Sequence, residues 1–218
     1  MVAVQEAIGQ TRRAATRDPE RTRAAILAAA TQEFTAKGLT GARVDAIAKR
    51  ARVNKRMIYH YFGDKDGLYL AVLEATYEAI RNAELALHLT DRDPVEGMRE
   101  LVLFTWRYFL AHPEFLSLLG TENLHKAAYL KRSRRIRELH SPLVGMISSL
   151  LARGVKARVF RAGVDPVELY VTIAALGFFY LSNRHTLSTI FGRDLAAPRS
   201  ITARGDHIVD VVLNYLKR

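Results

Sequence analysis

The sequence predicts an all-α protein: an N-terminal three-helix unit containing a helix-turn-helix, followed by a larger helical domain. Three observations predict it. Apolar residues recur three and four apart almost throughout the chain, the spacing that gathers them on one face of a helix. No stretch alternates convincingly with period two, and the weak alternation at 157–161 reads as a connector. The formal charge of +11 is uneven: residues 1–65 hold 13 Lys/Arg against 6 Asp/Glu, and the remainder 20 against 16. A basic end suits an anionic partner, nucleic acid or a membrane surface; a basic surface that only aids solubility is the plainer alternative.

Composition narrows the classes. At 218 residues, 49% hydrophobic and 25% charged, the chain has the ordinary globular mixture and enough length to bury a core. The absence of Cys excludes disulfides, Cys-ligated zinc, iron–sulfur clusters and thiol nucleophiles. The first twenty residues carry Arg12, Arg13 and Arg17 but no apolar run of signal-peptide length, so a cytoplasmic location is expected.

The elements follow in order. Asp18-Pro19 places a capping side chain before a proline at the first helical position, starting a helix over 19–37 that Gly38 stops; Ile26, Ala30 and Phe34 form its apolar line. Short helices are expected at 44–50, with Val44, Ile47, Ala48 and Ala51 to bury, and at 55–61, capped by Asn54. Gly63 separates these from a helix over 65–89, whose predicted face is Leu68, Val72, Ala75, Ala79, Ile80, Ala83 and Leu87. Asp-Pro-Val-Glu occurs at 93–96 and 165–168, each copy supplying an Asp cap, a proline at N1 and an acid near the positive helix end. They start helices at 94–111 and 166–190. Further helices are expected at 113–124, at 126–154 with a kink or break at Ser141-Pro142, and at 200–217.

The segment 38–65 carries the chemistry. Two short helices joined by the turn Ala51-Arg52-Val53 are the helix-turn-helix arrangement, in which one helix braces and the second enters the major groove. The second buries Ile58 and Phe62 and offers Lys55, Arg56, Met57, Tyr59, His60 and Tyr61 on its other face. Lys and Arg neutralise phosphates, Tyr hydroxyls fix register on them, Arg56 can read guanine bidentately and Met57 can touch a thymine methyl. A helical hairpin with a solvated basic face is the plain alternative.

The run Gly38 to Leu68, with the Ile47-Ala48 pair, Tyr59, Phe62, Lys65 and Leu68 as its most diagnostic positions, resembles the DNA-binding domain of the tetracycline-repressor (TetR) family. The resemblance covers roughly residues 20–75. It implies phosphate contacts from Arg43, Tyr59, Tyr61 and Lys65, and a recognition helix bearing Lys55, Arg56, Met57 and His60. The sequence departs from the family pattern at Ala42, where Thr is frequent, at Arg52, where the turn often has Gly, and at Arg56-Met57, often Gly-Thr. These departures bar transfer of an operator sequence.

The domain division expected is a basic arm at 1–18, a DNA-binding domain at 19–65, and a ligand-binding and dimerisation domain at 66–218. The stretch Leu181 to Leu195 resembles a RutR-like (pyrimidine-utilisation regulator) C-terminal subgroup. Residues 169–181 are apolar on nearly every side, too few to cross a bilayer, and require cover on both faces. The helices at 166–190 and 200–217 are therefore expected to pair with their symmetry mates, with Ala174, Ala175 and Gly177 allowing close approach. A small-molecule pocket is expected from Trp106, Phe109, Glu122, Asn123, Phe178 and Asn183, apolar walls with a few polar groups. Core aromatics and surface polar residues are the plain reading of the same positions.

Lys131 to Arg137 holds five positive charges in seven residues and reads as a solvated helix face rather than a DNA contact. Glu122 and His125 have half the spacing of a di-iron site but lack the second copy it needs, so no metal is expected. No nucleophile elbow, phosphate loop, Rossmann fingerprint or zinc-protease motif is present; neither catalysis nor a cofactor is expected. The sequence thus reads as a ligand-responsive regulator, most simply a repressor, that binds double-stranded DNA as a homodimer and is released by a small-molecule effector. A helical small-molecule-binding protein or enzyme that does not bind DNA is the alternative.

Overall fold

Capping residues and apolar lines divide the chain into α1 (Pro19–Gly41), α2 (Val44–Ala51), α3 (Lys55–Phe62), α4 (Lys65–Leu85), α5 (Pro94–Ala111), α6 (Pro113–Leu124), α7 (Arg134–Lys156), α8 (Pro166–Phe191) and α9 (Pro198–Leu216), with 3₁₀ turns at Leu89–Asp91 and Leu130–Arg132. This computed structural model describes residues 18–218, the side chains of His140 and Ser141 excepted. Among the described residues there is no strand. The expected basic arm, Asp18 apart, lies outside them. The chain forms two compact units that part between Val72 and Leu73, within α4.

In the N-terminal unit, the Asp18 carboxylate accepts the Glu20 N–H at 3.0 Å and opens α1. Gly38, at φ 64 and ψ 177, leaves helical geometry where a stop was expected, and a further turn to Gly41 follows it. Ile26, Ala30, Phe34, Ile47, Ala48, Ile58, Leu68, Tyr69 and Val72 are buried, and the Phe34 and Tyr69 rings meet edge to face at 5.0 Å. Phe62, expected in the core, is only half-buried; the Arg23 guanidinium lies over its ring at 5.4 Å.

The C-terminal unit is organised around α5, which packs on α6, α7, α8 and α9. Asp93 and Asp165 cap their helices as their motif predicts, each accepting two backbone N–H groups at 2.8–3.3 Å. Trp106 of α5 lies against two glycines. A methyl group at Gly205 of α9 would stand 3.0 Å from the indole, and one at Gly177 of α8 would stand 3.6 Å away. Gly177 therefore admits α5 of its own chain, not a symmetry mate.

Helix α4 ends at Leu85 rather than 89, because the chain turns through left-handed His88 to bury Leu89. Arg153 holds that turn by donating to the Leu89 and Arg92 carbonyls at 2.8 and 2.6 Å. The buried face of α4 runs through Leu68, Tyr69, Val72, Leu73, Tyr77, Ile80, Arg81 and Glu84, while Ala75 and Ala79 are exposed. No helix begins at 126: Lys126 and Ala127 are both left-handed, and α7 starts only after Ser133, whose Oγ accepts the Ile136 N–H. Pro142 does not break α7. An internal proline costs about 3 kcal/mol, and the buried face Ile136, Leu143, Ile147 and Leu150 offsets it. Helix α9 starts two residues early, with Pro198 at its first turn.

The core of the C-terminal unit also contains an ion pair. Arg81 Nη1 and Glu84 Oε2 stand 2.8 Å apart with side chains 2% and 0% exposed, and Arg81 Nη2 donates to the Tyr170 hydroxyl at 2.7 Å. Burial pushes the Glu84 carboxyl up to about 7, the Arg81 charge opposing it. The folded state thus binds a proton that the unfolded state releases near pH 4.5. The stabilisation is complete below that pH and is lost as pH rises through 7. Between pH 5 and pH 8, the wild type should lose about 2 kcal/mol of unfolding free energy relative to Glu84→Gln, measured by urea denaturation. Parallel pH profiles would contradict this.

Candidate nucleic-acid interface

Helix α2 needs a cap at its start, and the expected hydroxyl is absent because position 42 is a buried Ala. A buried carboxylate of α1 serves instead. Glu33 Oε1 accepts the Arg43 N–H at 3.4 Å, and Glu33 Oε2 faces Arg50 Nη2 at 3.8 Å. Arg52 closes α2 in the left-handed conformation, φ 56 and ψ 40, with its N–H on the Ala48 and Lys49 carbonyls. A side chain costs about 1 kcal/mol there relative to glycine. Asn54 then caps α3 by accepting the Arg56 N–H at 2.9 Å.

With Ile58 buried, the opposite face of α3 presents Arg56, Tyr59 and His60 to solvent, Tyr59 being 43% exposed. Positions three and four apart lie on one helix face, so these three project together. Lys55, Met57 and Tyr61 flank them, half-buried. Lys55 Nζ pairs with Asp45 Oδ1 at 2.8 Å; that hydrogen bond raises the lysine above its ordinary value. The Tyr61 ring packs edge-on against His60 at 5.3 Å. Lys65 Nζ donates to the Thr40 carbonyl at 3.3 Å, and the Arg43 side chain is exposed. All eight residues expected to touch DNA thus belong to the N-terminal unit. Lys55 and Lys65 already have protein partners, which a phosphate would have to share or replace. Lys49, Arg50 and Arg52 were missed as candidates. All three are exposed, and the basic run Lys49-Arg50-Ala51-Arg52 was their visible signal.

The six residues expected to line an effector pocket are less coherent. Trp106 and Phe109 are buried and packed about Gly177. Glu122 is buried, its Oε2 accepting the Leu130 N–H at 3.0 Å. Asn123 is exposed and donates to the Leu119 carbonyl of its own helix. Asn183 does the same to the Phe179 carbonyl, and Phe178 is half-buried. The charged residues buried in this unit that the sequence did not single out are Arg81 and Glu84. The spacing Tyr69, Leu73, Tyr77, Ile80, Glu84 would have placed Glu84 on the core face.

Among the described residues, no helix is long and apolar enough to cross a membrane. Residues 26–72 match the family described as bacterial regulatory proteins, tetR family, and residues 94–212 match the tetracyclin repressor-like C-terminal domain. The chain is 40% identical over 211 residues to the HTH-type transcriptional repressor NicS of Pseudomonas putida, covering 96% of this chain and 100% of that one. It is 30% identical over 174 residues to the HTH-type transcriptional regulator RutR of Escherichia coli, covering 78% and 79%. A crystal structure of the transcriptional regulator SCO4942 from Streptomyces coelicolor superposes with a TM-score of 0.67 at 27% identity, covering 89% of this chain and 98% of that one. A capped, exposed recognition helix on a three-helix head and a helical C-terminal unit that matches its own family description lead to one assignment: the chain belongs to the TetR family of transcriptional regulators.

Proposed function

We propose that this protein is a repressor that binds a near-palindromic operator as a homodimer and leaves it when a small molecule binds the C-terminal unit. The observation that carries the reading is the face of α3, where Arg56, Tyr59 and His60 stand exposed on a helix fixed by Asn54 and by buried Ile58. Residues 19–65 form the DNA-binding head in this reading, and residues 66–218 the sensing and dimerising part. Tyr59, Tyr61, Lys65 and Arg43 hold phosphates. Arg56 and Met57 read base edges, with Lys55 and His60 beside them.

Dimerisation is supported by the outer face of α8 and α9. Val167, Val171 and Phe179 lie at multiples of four along α8, and Phe179 is 60% exposed. Val211 and Tyr215 stand exposed four apart on α9. Two recognition helices related by a dyad would enter successive major grooves about 34–36 Å apart, or a multiple of that. The effector acts by binding more tightly to a conformer with the wrong head separation, and its effect is limited to that difference in affinity. The relative named a repressor, NicS, supports the sign of regulation.

Gel-shift titration with the DNA upstream of the gene tests the reading. Binding should survive nonspecific competitor and fall steeply with salt. Tyr59→Phe should weaken every sequence alike, whereas Arg56→Ala should lose about 1–3 kcal/mol at particular base pairs only. Uniform loss with Arg56→Ala would remove its base-reading role. Sedimentation should give twice the monomer mass at micromolar concentration, and Val171→Asp with Phe179→Asp should reduce it to the monomer. A monomeric wild type would refute the dimer.

A further inference from the structure

The C-terminal unit buries more charge than its packing needs. Arg81 and Glu84 face each other at 2.8 Å on α4. Even so, Arg81 Nε and Glu84 Oε1 have no hydrogen-bond partner among the described residues, and neither does Glu122 Oε1 on α6. A buried ion pair is on average no more stabilising than well-packed apolar residues, and buried polar atoms are almost always satisfied. Arg81 is paired with Glu84, and Arg81 and Glu122 both act on Tyr77, so these three shielded atoms mark one place built for something more than packing.

The surroundings specify what that is. The Tyr170 ring lies 5.3 Å from the Arg81 guanidinium, and its hydroxyl accepts from Nη2. Tyr77 and Tyr108 each feel the Arg81 charge, and the Phe115 ring meets them at 5.4 and 6.2 Å. Tyr170 of α8 thus lies against the guanidinium, and Tyr77, Tyr108 and Phe115 of α4, α5 and α6 form an aromatic cluster whose two hydroxyls feel its charge. A guanidinium offers a planar fork of N–H donors that matches a carboxylate, and flat aromatic walls suit a flat apolar body.

We propose that the effector is a small planar organic acid, its carboxylate held by Arg81 and Tyr170 and its ring lodged among Tyr77, Tyr108 and Phe115. This rests on the reading of the protein as an effector-released regulator and names the chemistry of its effector. The acid replaces Glu84 as the partner of Arg81. Glu84 faces Arg81 on its own helix, Tyr108 on α5 and Tyr170 on α8. Losing Arg81 as its partner to the incoming carboxylate, and gaining that second carboxylate as a neighbour, both favour the neutral form of Glu84, so the acid enters together with a proton taken up by Glu84. The site can also yield: Glu122 lies on a helix that runs into the left-handed pair Lys126 and Ala127, a conformation that stores strain.

The test uses the full-length protein with benzoate, 4-hydroxybenzoate, their amides, and cyclohexanecarboxylate, read by thermal shift and by release of operator DNA. The planar acids should raise the melting temperature and release DNA, and the neutral amides and the saturated acid should do so weakly or not at all. Tyr170→Phe should weaken the acids about tenfold, and Arg81→Met should abolish their effect. Calorimetry at pH 8 in two buffers of different ionisation enthalpy should show proton uptake on binding, lost in Glu84→Gln. Should Arg81→Met fail to fold, Tyr170→Phe and the proton uptake still decide. Amides as effective as acids, undiminished binding in Tyr170→Phe, or no binding by any planar acid would overturn the proposal. Such a failure with operator binding intact leaves the regulator reading standing, whereas loss of operator binding by the unliganded protein removes that reading itself.

Discussion

Helices α2 and α3 are eight residues each, below the length at which a helix is stable alone in water. They exist because Ile47, Ala48 and Ile58 are withdrawn from solvent. Everything the N-terminal unit offers to a partner depends on that burial, since it decides which side of α3 faces outward. The polar devices are secondary to it but act in the same sense. Glu33 supplies the acceptor that the start of α2 lacks, Asn54 satisfies the start of α3, and Asp64 Oδ1 accepts the Gly67 N–H at 2.7 Å where α4 begins. Each removes an unsatisfied backbone donor at a helix end. The left-handed Arg52 is a cost tolerated at that turn, in exchange for a further cation beside the proposed DNA face.

The C-terminal unit answers a different constraint. Its central helix α5 is covered by four others, and two glycines make room for its single Trp. Against that apolar background Arg81 and Glu84 stand out. Such groups resist burial unless paired, and pairing here leaves part of their hydrogen-bonding capacity unmet. One helix, α4, carries residues of both units and also carries this pair. The proposed exchange of partners at Arg81 would therefore be a change on α4 itself.

Much of this was legible in the sequence. The Asp-Pro-Val-Glu caps, the Asn54 cap and the Gly38 break are local signals, and local signals fixed the starts of α3, α5, α6 and α8 to the residue. The exposed face of α3 was legible because Ile58 alone determines its orientation. The misses share a cause. The end of α4, the late start of α7 and the uninterrupted passage of α7 through Pro142 are set by tertiary contacts such as Arg153 on the Leu89 carbonyl, which no local pattern announces. Gly177 looked like a small residue at a dimer seam, yet Trp106, seventy-one positions earlier, occupies the space. The buried charges escaped because Arg and Glu are counted as surface residues by default. A strict reading of the Tyr69–Leu73–Tyr77–Ile80 spacing would have carried on to Glu84.

The decisive question is whether α3 reads DNA as one of a symmetric pair. Selection of the full-length protein on a random duplex library measures this directly. A symmetric pair of α3 helices should enrich a near-palindrome whose half-sites lie one helical turn or a whole number of turns apart, about 10–10.5 base pairs or a multiple. Enrichment of no sequence at all, or of single unpaired half-sites bound by a monomer, would contradict it.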